Sequence, residues 1–179
     1  MDAHPQAELV AHVLASAFDS VEPGAAVKKY LRDHPLPAGR KIFAFGLGKA
    51  ACAMTQALVD ETPLADALVV TKYASNLSGV HVSVIEGNHP IPGEASLQAG
   101  IAATKFLSQL TQDDLLVCLI SGGGSALMTA PCVPITDLQM LTSGLLACGA
   151  RIEEINTLRR HMDELKGGGL LSLVNGARV

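Results

Sequence analysis

Tryptophan is absent from this chain of 179 residues, and aromatic residues make up only 3% of it. A hydrophobic core must therefore be built from Leu, Val, Ile and Ala, which dominate the 49% of residues that are hydrophobic. Charged residues are also scarce, at 17%. This excess of apolar over charged residues predicts a folded chain, and its length suits one domain.

Features that the sequence lacks argue against nucleic-acid-binding, membrane, secreted and metal-binding proteins. The net charge is −4 and no basic stretch alternates with aromatic residues, so nucleic acid is not an expected partner. No apolar run reaches the roughly 18 residues of a membrane span, and no secretory signal is recognised. The cysteines have no metal-ligand spacing, so we expect buried thiols in a cytoplasmic protein, above all at Cys52 and Cys118.

Apolar segments with strand character alternate with helical patterns along the chain. Strands are predicted near residues 41–45, 67–72, 82–86 and 115–120. Helices are predicted over residues 6–20, 23–32, 50–59, 94–109, 135–149 and from 152 onwards. The first helix is expected to serve packing only. The alternation predicts an α/β fold with a mostly parallel sheet flanked by helices.

The last predicted strand runs into a glycine-rich loop. Its residues are Ser121, Gly122, Gly123, Gly124 and Ser125. Three consecutive glycines leave the backbone N–H groups unshielded, so these groups can converge on an anion, and the two serines add hydroxyl donors. The alternative is a turn that lets strand and helix pack closely. Three glycines exceed what a turn requires, which favours the anion site.

A second glycine turn follows the first predicted strand. Gly46 and Gly48 lie between this strand and an Ala-rich helix, as in phosphate-binding βα units, although the motif is weak and is not a Walker A loop. Lys49 opposes the helix dipole at a cost of about 0.5 kcal/mol, which a bound anion would remove. The alternative is that Lys49 points into solvent.

Two loops beyond the other strands also carry polar groups. Thr71 and Lys72 stand where a nicotinamide-binding fold prefers an acidic residue, which counts against NAD and favours a phosphate-bearing ligand. His89 lies in a loop stiffened by Pro90 and Pro92. It suits anion binding or acid–base chemistry as well as it suits capping a turn.

The last predicted helix has cationic and polar residues at every turn. These are Asn156, Arg159, Arg160, His161 and Lys166. They form either a binding face or a solvated surface. In the second case, Asp163 would make ordinary helix-surface pairs with Arg159 or Arg160.

Five motifs in this order resemble the ATP-dependent class II glycerate 2-kinases, a family long labelled hydroxypyruvate reductases. They are G-L-G-K-A-A at 46–51, V-T-K-Y at 70–73, G-N-H-P-I-P-G-E-A-S at 87–96, I-S-G-G-G-S-A-L at 120–127 and I-N-T-L-R-R-H-M-D-E-L-K-G-G at 155–168. The resemblance implies a Rossmann-like large domain with its active site in a cleft against a smaller C-terminal domain. It also implies transfer of the γ-phosphate of ATP to the 2-hydroxyl of D-glycerate.

The resemblance further implies ATP and Mg²⁺ as cofactors, and roles for particular residues. Lys49, Arg159 and Lys166 would be catalytic. Phosphate and substrate would be bound by Gly46, Gly48, His89, Ser121, Gly122, Gly123, Gly124, Ser125 and Asn156. The chain departs from the family pattern at Gly93, Asp163 and Gly169, and Asp163 places a negative charge near the anion site.

Members of this family are more than twice as long as this chain. Residues 1–179 are therefore expected to be a partial N-terminal Rossmann-like domain that lacks the C-terminal domain. Such a fragment is expected to be inactive alone and to self-associate through an unpaired strand edge. Two alternatives stay open, an NAD(P)H-dependent hydroxypyruvate reductase and a sugar-phosphate-binding, isomerase-like domain.

Overall fold

A four-stranded parallel sheet forms the centre of the protein, whose computed structural model describes residues 5–79 and 81–179. The strands are β1 (Lys41–Leu47), β2 (Asp66–Thr71), β3 (Val82–Glu86) and β4 (Asp114–Ile120). Their order in the sheet is β3-β2-β1-β4, and every neighbouring pair is parallel. The predicted α/β architecture with a parallel sheet is confirmed.

Eight helices lie within the described ranges. They are α1 (Pro5–Ser20), α2 (Pro23–Asp33), α3 (Ala51–Glu61), α4 (Glu94–Ser108), α5 (Gly124–Leu127), α6 (Ile135–Ala147), α7 (Ile152–His161) and α8 (Gly169–Ser172). The last predicted helix ends earlier than expected, at His161, so Lys166 lies in the turns that follow. None of these helices combines the length and the apolar character that a membrane crossing demands.

The core covers both faces of the sheet and is mostly aliphatic, as the composition predicts. On one face, Phe45 and Leu68 pack with Leu107 of α4. On the other face, Ala44 packs with Leu58 of α3. Burial on both faces explains why the central strands are continuous apolar runs instead of alternating ones.

The expected packing role of the first helix is wrong. Its apolar residues Leu9, Val10, Val13, Leu14 and Phe18 are 51% to 70% exposed. The spacing of these residues correctly predicts a helix, because helical periodicity is a local property. Which surface covers an apolar stripe depends on the tertiary structure, and the described residues do not cover this one.

Strand β4 is only partly paired along its outer edge. The Leu116 N–H donates to the Arg178 carbonyl at 2.8 Å, and the Arg178 N–H donates to the Asp114 carbonyl at 3.1 Å. Beyond this parallel bridge, the described residues leave the second half of β4 uncovered. Cys118 is therefore exposed, contrary to the prediction, and Ile120 is 59% exposed. Cys52 is buried in α3, as predicted.

Candidate functional site

Both glycine-rich loops lie at the carboxyl edge of the sheet, where the strands end. The Ser121 N–H donates to the Leu47 carbonyl at 2.8 Å, and the Lys49 N–H donates to the Gly122 carbonyl at 3.3 Å. The loops after β1 and β4 are thus joined by their backbones. This is the edge at which open α/β sheets bind ligands.

Gly48 is required by close packing between these two loops. Its φ is +118°, and an added Cβ would lie 2.5 Å from the Ser121 carbonyl oxygen. The Ser121 hydroxyl accepts a hydrogen bond from the Ala50 N–H at 3.0 Å, so it satisfies a backbone donor at the start of α3. Ser121 was predicted as a ligand group, and in the structure its oxygen already has this structural partner.

Gly46 and Gly124 are also explained by packing. An added Cβ at Gly46 would lie 2.8 Å from Thr55 Oγ1 of α3. At Gly124, it would lie 2.8 Å from Leu47 Cγ of β1. Both distances are too short for a real side chain, so the close-packing alternative accounts for these two glycines.

Gly122 and Gly123 differ from the other glycines of these two loops because both are exposed. No atom lies within 4 Å of an added Cβ at Gly122. Gly123, with φ +86°, lies against the Lys49 side chain. An added Cβ at Gly123 would lie 3.3 Å from Lys49 Cε. Within residues 5–79 and 81–179, neither N–H group donates to a protein acceptor. These two glycines carry the anion-site prediction.

Arg159 of α7 stands between two adjoining cavities of about 470 and about 310 Å³. Ser125 and Asn156 also line both cavities. Arg159 donates through Nη2 to the Pro90 carbonyl at 3.2 Å, while its buried Nε has no acceptor among the described residues. A guanidinium with an unused donor suits the binding of a carboxylate or phosphate.

His89 lines the smaller cavity and lies among three cations. Burial lowers the pKa of the His89 imidazole, and the charges of Lys49, Lys72 and Arg159 lower it further. His89 is therefore neutral at pH 7 and can accept a proton or a hydrogen bond. Lys72 belongs to this group although it is absent from the predicted site; its place directly after β2 was the available signal.

Lys166 lines the larger cavity, but its ammonium already has two partners. It donates to the Met128 carbonyl at 3.0 Å and forms an ion pair with the buried carboxylate of Asp163. Burial lowers the pKa of Lys166, and Asp163 opposes this shift. Asp163 thus pairs with Lys166, and the alternative of a helix-surface pair with Arg159 or Arg160 is not found, because α7 ends before residue 163.

Asp163 also holds the chain that runs beneath the cavities. Its carboxylate accepts hydrogen bonds from the Thr129 hydroxyl, the Ala130 N–H at 3.2 Å and the Leu165 N–H at 3.0 Å. The segment after α5 and the turn after α7 are therefore tied together by one carboxylate. This arrangement fixes where Lys166 stands.

The residues fit ATP and Mg²⁺ to different degrees. The free N–H groups of Gly122 and Gly123, with the Lys49 ammonium beside them, suit phosphate oxygens. The described part of the chain contains no group of three or more His, Cys, Asp or Glu side chains placed to hold a metal ion. The Mg²⁺ implied by the resemblance finds no such ligand set there.

The structure divides the predicted site residues into two sets. Around the cavities and the open loop lie Lys49, His89, Gly122, Gly123, Ser125, Asn156, Arg159 and Lys166. Behind them, in packing contacts, lie Gly46, Gly48, Ser121 and Gly124. The catalytic and binding roles of both sets stay predictions.

The sequence family described as a domain of unknown function (DUF4147) matches residues 9–179. This chain belongs to the DUF4147 family. Within it, the glycerate 2-kinase of Pyrococcus horikoshii is 40% identical over 141 residues, which cover 78% of this chain and 32% of that protein. An Agrobacterium vitis protein with hydroxypyruvate reductase in its name is 36% identical over 167 residues, 91% of this chain and 37% of that one.

A crystal structure of the Thermotoga maritima glycerate kinase has the same fold as this DUF4147 chain. The TM-score is 0.83 at 32% identity, over 95% of this chain and 42% of the Thermotoga chain. The predicted resemblance to glycerate kinases is confirmed. The chain spans about a third to two fifths of the length of these relatives.

Proposed function

We propose that this DUF4147 chain forms part of a glycerate 2-kinase site. In that reaction, the γ-phosphate of ATP is transferred to the 2-hydroxyl of D-glycerate, giving 2-phosphoglycerate. The observation that carries the proposal is the pair of free N–H groups at Gly122 and Gly123 beside Lys49. The glycerate kinase names of several relatives support it.

Lys49 and the two glycines would act on the phosphates. The glycerate 2-hydroxyl oxygen bonds to the γ-phosphorus as the bond from this phosphorus to the β–γ bridging oxygen breaks, and ADP leaves. Fixed N–H groups and an ammonium stabilise the charge that spreads over the phosphoryl oxygens, which supplies most of the catalysis in such transfers. His89, neutral at pH 7, would accept the hydroxyl proton.

D-glycerate would bind on the α7 side of the site. Arg159 offers a guanidinium with an unused donor, and Asn156 lines the same two cavities. A guanidinium matches the geometry of a carboxylate, so Arg159 would hold the substrate's carboxyl group. Lys166, paired with Asp163, adds a fixed positive charge to the wall of the larger cavity.

We infer that these residues alone bind anions weakly and do not turn over. Phosphoryl transfer requires a cleft from which water is excluded. Cys118 and Ile120, just before the glycine-rich loop, are exposed, so the described residues do not close that side. The relatives have more than twice this length, and the additional chain would supply the closure.

The test is a coupled ADP-release assay with D-glycerate and Mg-ATP, run beside light scattering. This chain is expected to show no turnover, whereas the full-length Thermotoga relative should turn over. Clear turnover by a monomeric preparation of this chain would overturn the inference of inactivity. Light scattering also tests the predicted self-association, and the cytoplasmic location stays a prediction.

Replacing Lys49 tests the core of the proposal. In a full-length relative that carries a lysine at the position of Lys49, changing it to Ala should lower kcat at least tenfold, or about 1.4 kcal/mol of transition-state stabilisation. The matched control removes an exposed lysine at the other end of β1, where this chain has Lys41. Unchanged kcat and KM without the Lys49 ammonium would rule out its catalytic role.

A hydroxypyruvate reductase is the rival function, and one relative carries that name. Thr71 and Lys72 at the end of β2 argue against it, because a nicotinamide ribose is usually held by an acidic residue there. NADH fluorescence titration separates the two functions. Saturable NADH binding without ATP binding would replace the kinase proposal.

A further inference from the structure

Lys72 lies in the same row as Lys49 along the carboxyl edge. Strands β1 and β2 are parallel, with Leu47 opposite Val70. Lys49 lies two residues after Leu47, and Lys72 lies two residues after its partner Val70. Because neighbouring strands are about 4.8 Å apart, the two lysines project from adjacent strand ends.

The glycine-rich loop continues this row on the other side of Lys49. Leu47 is also opposite Ile120 of β4, so Gly122 stands two residues beyond that pair. The order along the edge is Lys72, Lys49 and Gly122. Two strand spacings, about 10 Å, separate Val70 from Ile120 where this row begins. A single phosphate at Gly122 leaves Lys72 at a distance, whereas a chain of phosphates extends toward it.

The Lys72 ammonium has no ion-pair partner among the described residues. The ion pairs found there are Lys28–Asp60, Arg151–Glu154 and Lys166–Asp163. The Lys72 ammonium lies over the Tyr73 ring, 5.1 Å from the ring centroid. This cation–π contact orients the ammonium without neutralising it.

The neighbouring carboxylate on β3 makes no ion pair with Lys72 among the described residues. Glu86 lies opposite Thr71, and its Oε1 accepts a hydrogen bond from the Ala74 N–H at 2.6 Å. Both lysines also lie near enough to His89 for their charges to lower the pKa of its imidazole. Two cations on neighbouring strand ends, neither with an ion-pair partner among the described residues, favour a ligand with several negative charges.

We propose that Lys72 is a polyphosphate-binding residue, which holds the end of a phosphate chain that runs from Gly122 and Gly123 past Lys49. The proposal deepens the proposed function, and it rests on that function only in identifying ATP as the natural polyphosphate. With phosphates bound at Lys72, the two substrates occupy different sides of the site. The nucleotide phosphates lie along the strand ends, and D-glycerate lies on the side of Arg159.

The experiment measures binding of inorganic tripolyphosphate and inorganic phosphate to this chain by titration calorimetry. Lys72→Gln should weaken tripolyphosphate binding at least fivefold and phosphate binding less than twofold. Lys72→Arg keeps the charge and should stay within twofold of the native chain for both anions. Lys41→Gln is the matched control, since it removes the same charge at the opposite edge, and it should change either affinity less than twofold.

Three other outcomes of these titrations overturn the proposal. An equal loss for both anions would place Lys72 at the first phosphate, and a loss no larger than that of Lys41→Gln would reduce it to a distant charge. Absence of tripolyphosphate binding by the native chain would also overturn it. Two further measurements test the kinase proposal separately from the Lys72 proposal. They are D-glycerate titration and the ADP-release assay of the full-length relative. Failure of both, with Lys72-dependent tripolyphosphate binding intact, would refute the kinase and leave the polyphosphate site.

Discussion

The amino and carboxyl edges of the sheet differ in charge and in cavity size. At the amino edge, a cavity of about 740 Å³ is lined by Asp66, Asp113 and Asp114. At the carboxyl edge, the two cavities beside Arg159 are smaller, at about 470 and about 310 Å³, and cationic side chains line them. The larger space is thus acidic, and it lies away from both glycine-rich loops.

The two edges also differ in how many polar groups already have partners. Asp114 accepts hydrogen bonds from the Thr111 N–H at 2.8 Å and hydroxyl at 2.9 Å, and Asp66 accepts one from the Ala67 N–H at 2.8 Å. At the carboxyl edge, the N–H groups of Gly122 and Gly123 have no protein acceptor in the described ranges. Unpartnered donors, more than cavity volume, indicate where a ligand binds.

The largest expected effect compares a buried carboxylate at each edge. Asp163→Ala should lower the free energy of unfolding by about 3–5 kcal/mol, because it leaves the Lys166 ammonium, 15% exposed, without its counter-charge. Asp114→Ala removes only the bonds to Thr111 and should lower it by about 1–2 kcal/mol. Urea denaturation of both variants measures the difference.

A second variant shows whether charge is the cause of that loss. Adding Lys166→Met to Asp163→Ala removes the unpaired ammonium and should restore part of the stability. If the double variant is no more stable than Asp163→Ala, the lost stability comes from the hydrogen bonds that the Asp163 carboxylate accepts from Thr129, Ala130 and Leu165, and not from the ion pair.

The second prediction compares a glycine at each edge. Gly48→Ala should lower the free energy of unfolding by about 3 kcal/mol, because it combines a positive φ with a collision against Ser121. Gly39, which lines the acidic cavity, has φ +83° and open space around an added Cβ. Gly39→Ala should therefore lower it by only about 1 kcal/mol. Equal losses in thermal or urea unfolding would mean that the loops move apart without penalty.

The smallest expected effect concerns pH. Burial and the charges of Lys49, Lys72 and Arg159 hold the pKa of His89 below its ordinary value, so a bound anion raises it. Anion binding then takes up a proton, and affinity should increase as pH falls through the pKa of His89. Sulfate affinity should rise by up to about fivefold as pH falls from about 7.5 through the acidic range, since one charge at contact distance is worth about 1 kcal/mol in water.

Sulfate is the suitable probe because it keeps its charge over this range. His89→Gln should make the affinity nearly independent of pH, as measured by titration calorimetry. A pH dependence that survives in His89→Gln would assign the effect to another group.

The order of strands and helices, and the edge that carries the site, follow from the sequence alone. Hydrophobic period and glycine positions are local, and they marked β1, β2, β3 and β4 within one or two residues. Because strands joined through helices run parallel, their carboxyl ends meet at one edge, and the loops at Lys49 and Ser121 were expected there. That the two loops touch depends on β1 and β4 being neighbours, which the sheet order of the structure decides. The motifs in these loops also carried the resemblance to glycerate kinases.

Tertiary structure alone decided which residues are packed and which are open. Gly48 and Gly122 look alike in the sequence, but one lies against Ser121 and the other faces open space. Likewise, Asp163 pairs with Lys166 because α7 ends at His161, and α1 keeps its apolar stripe exposed. These outcomes depend on distances between atoms that the chain brings together from far apart, and local patterns do not contain such distances.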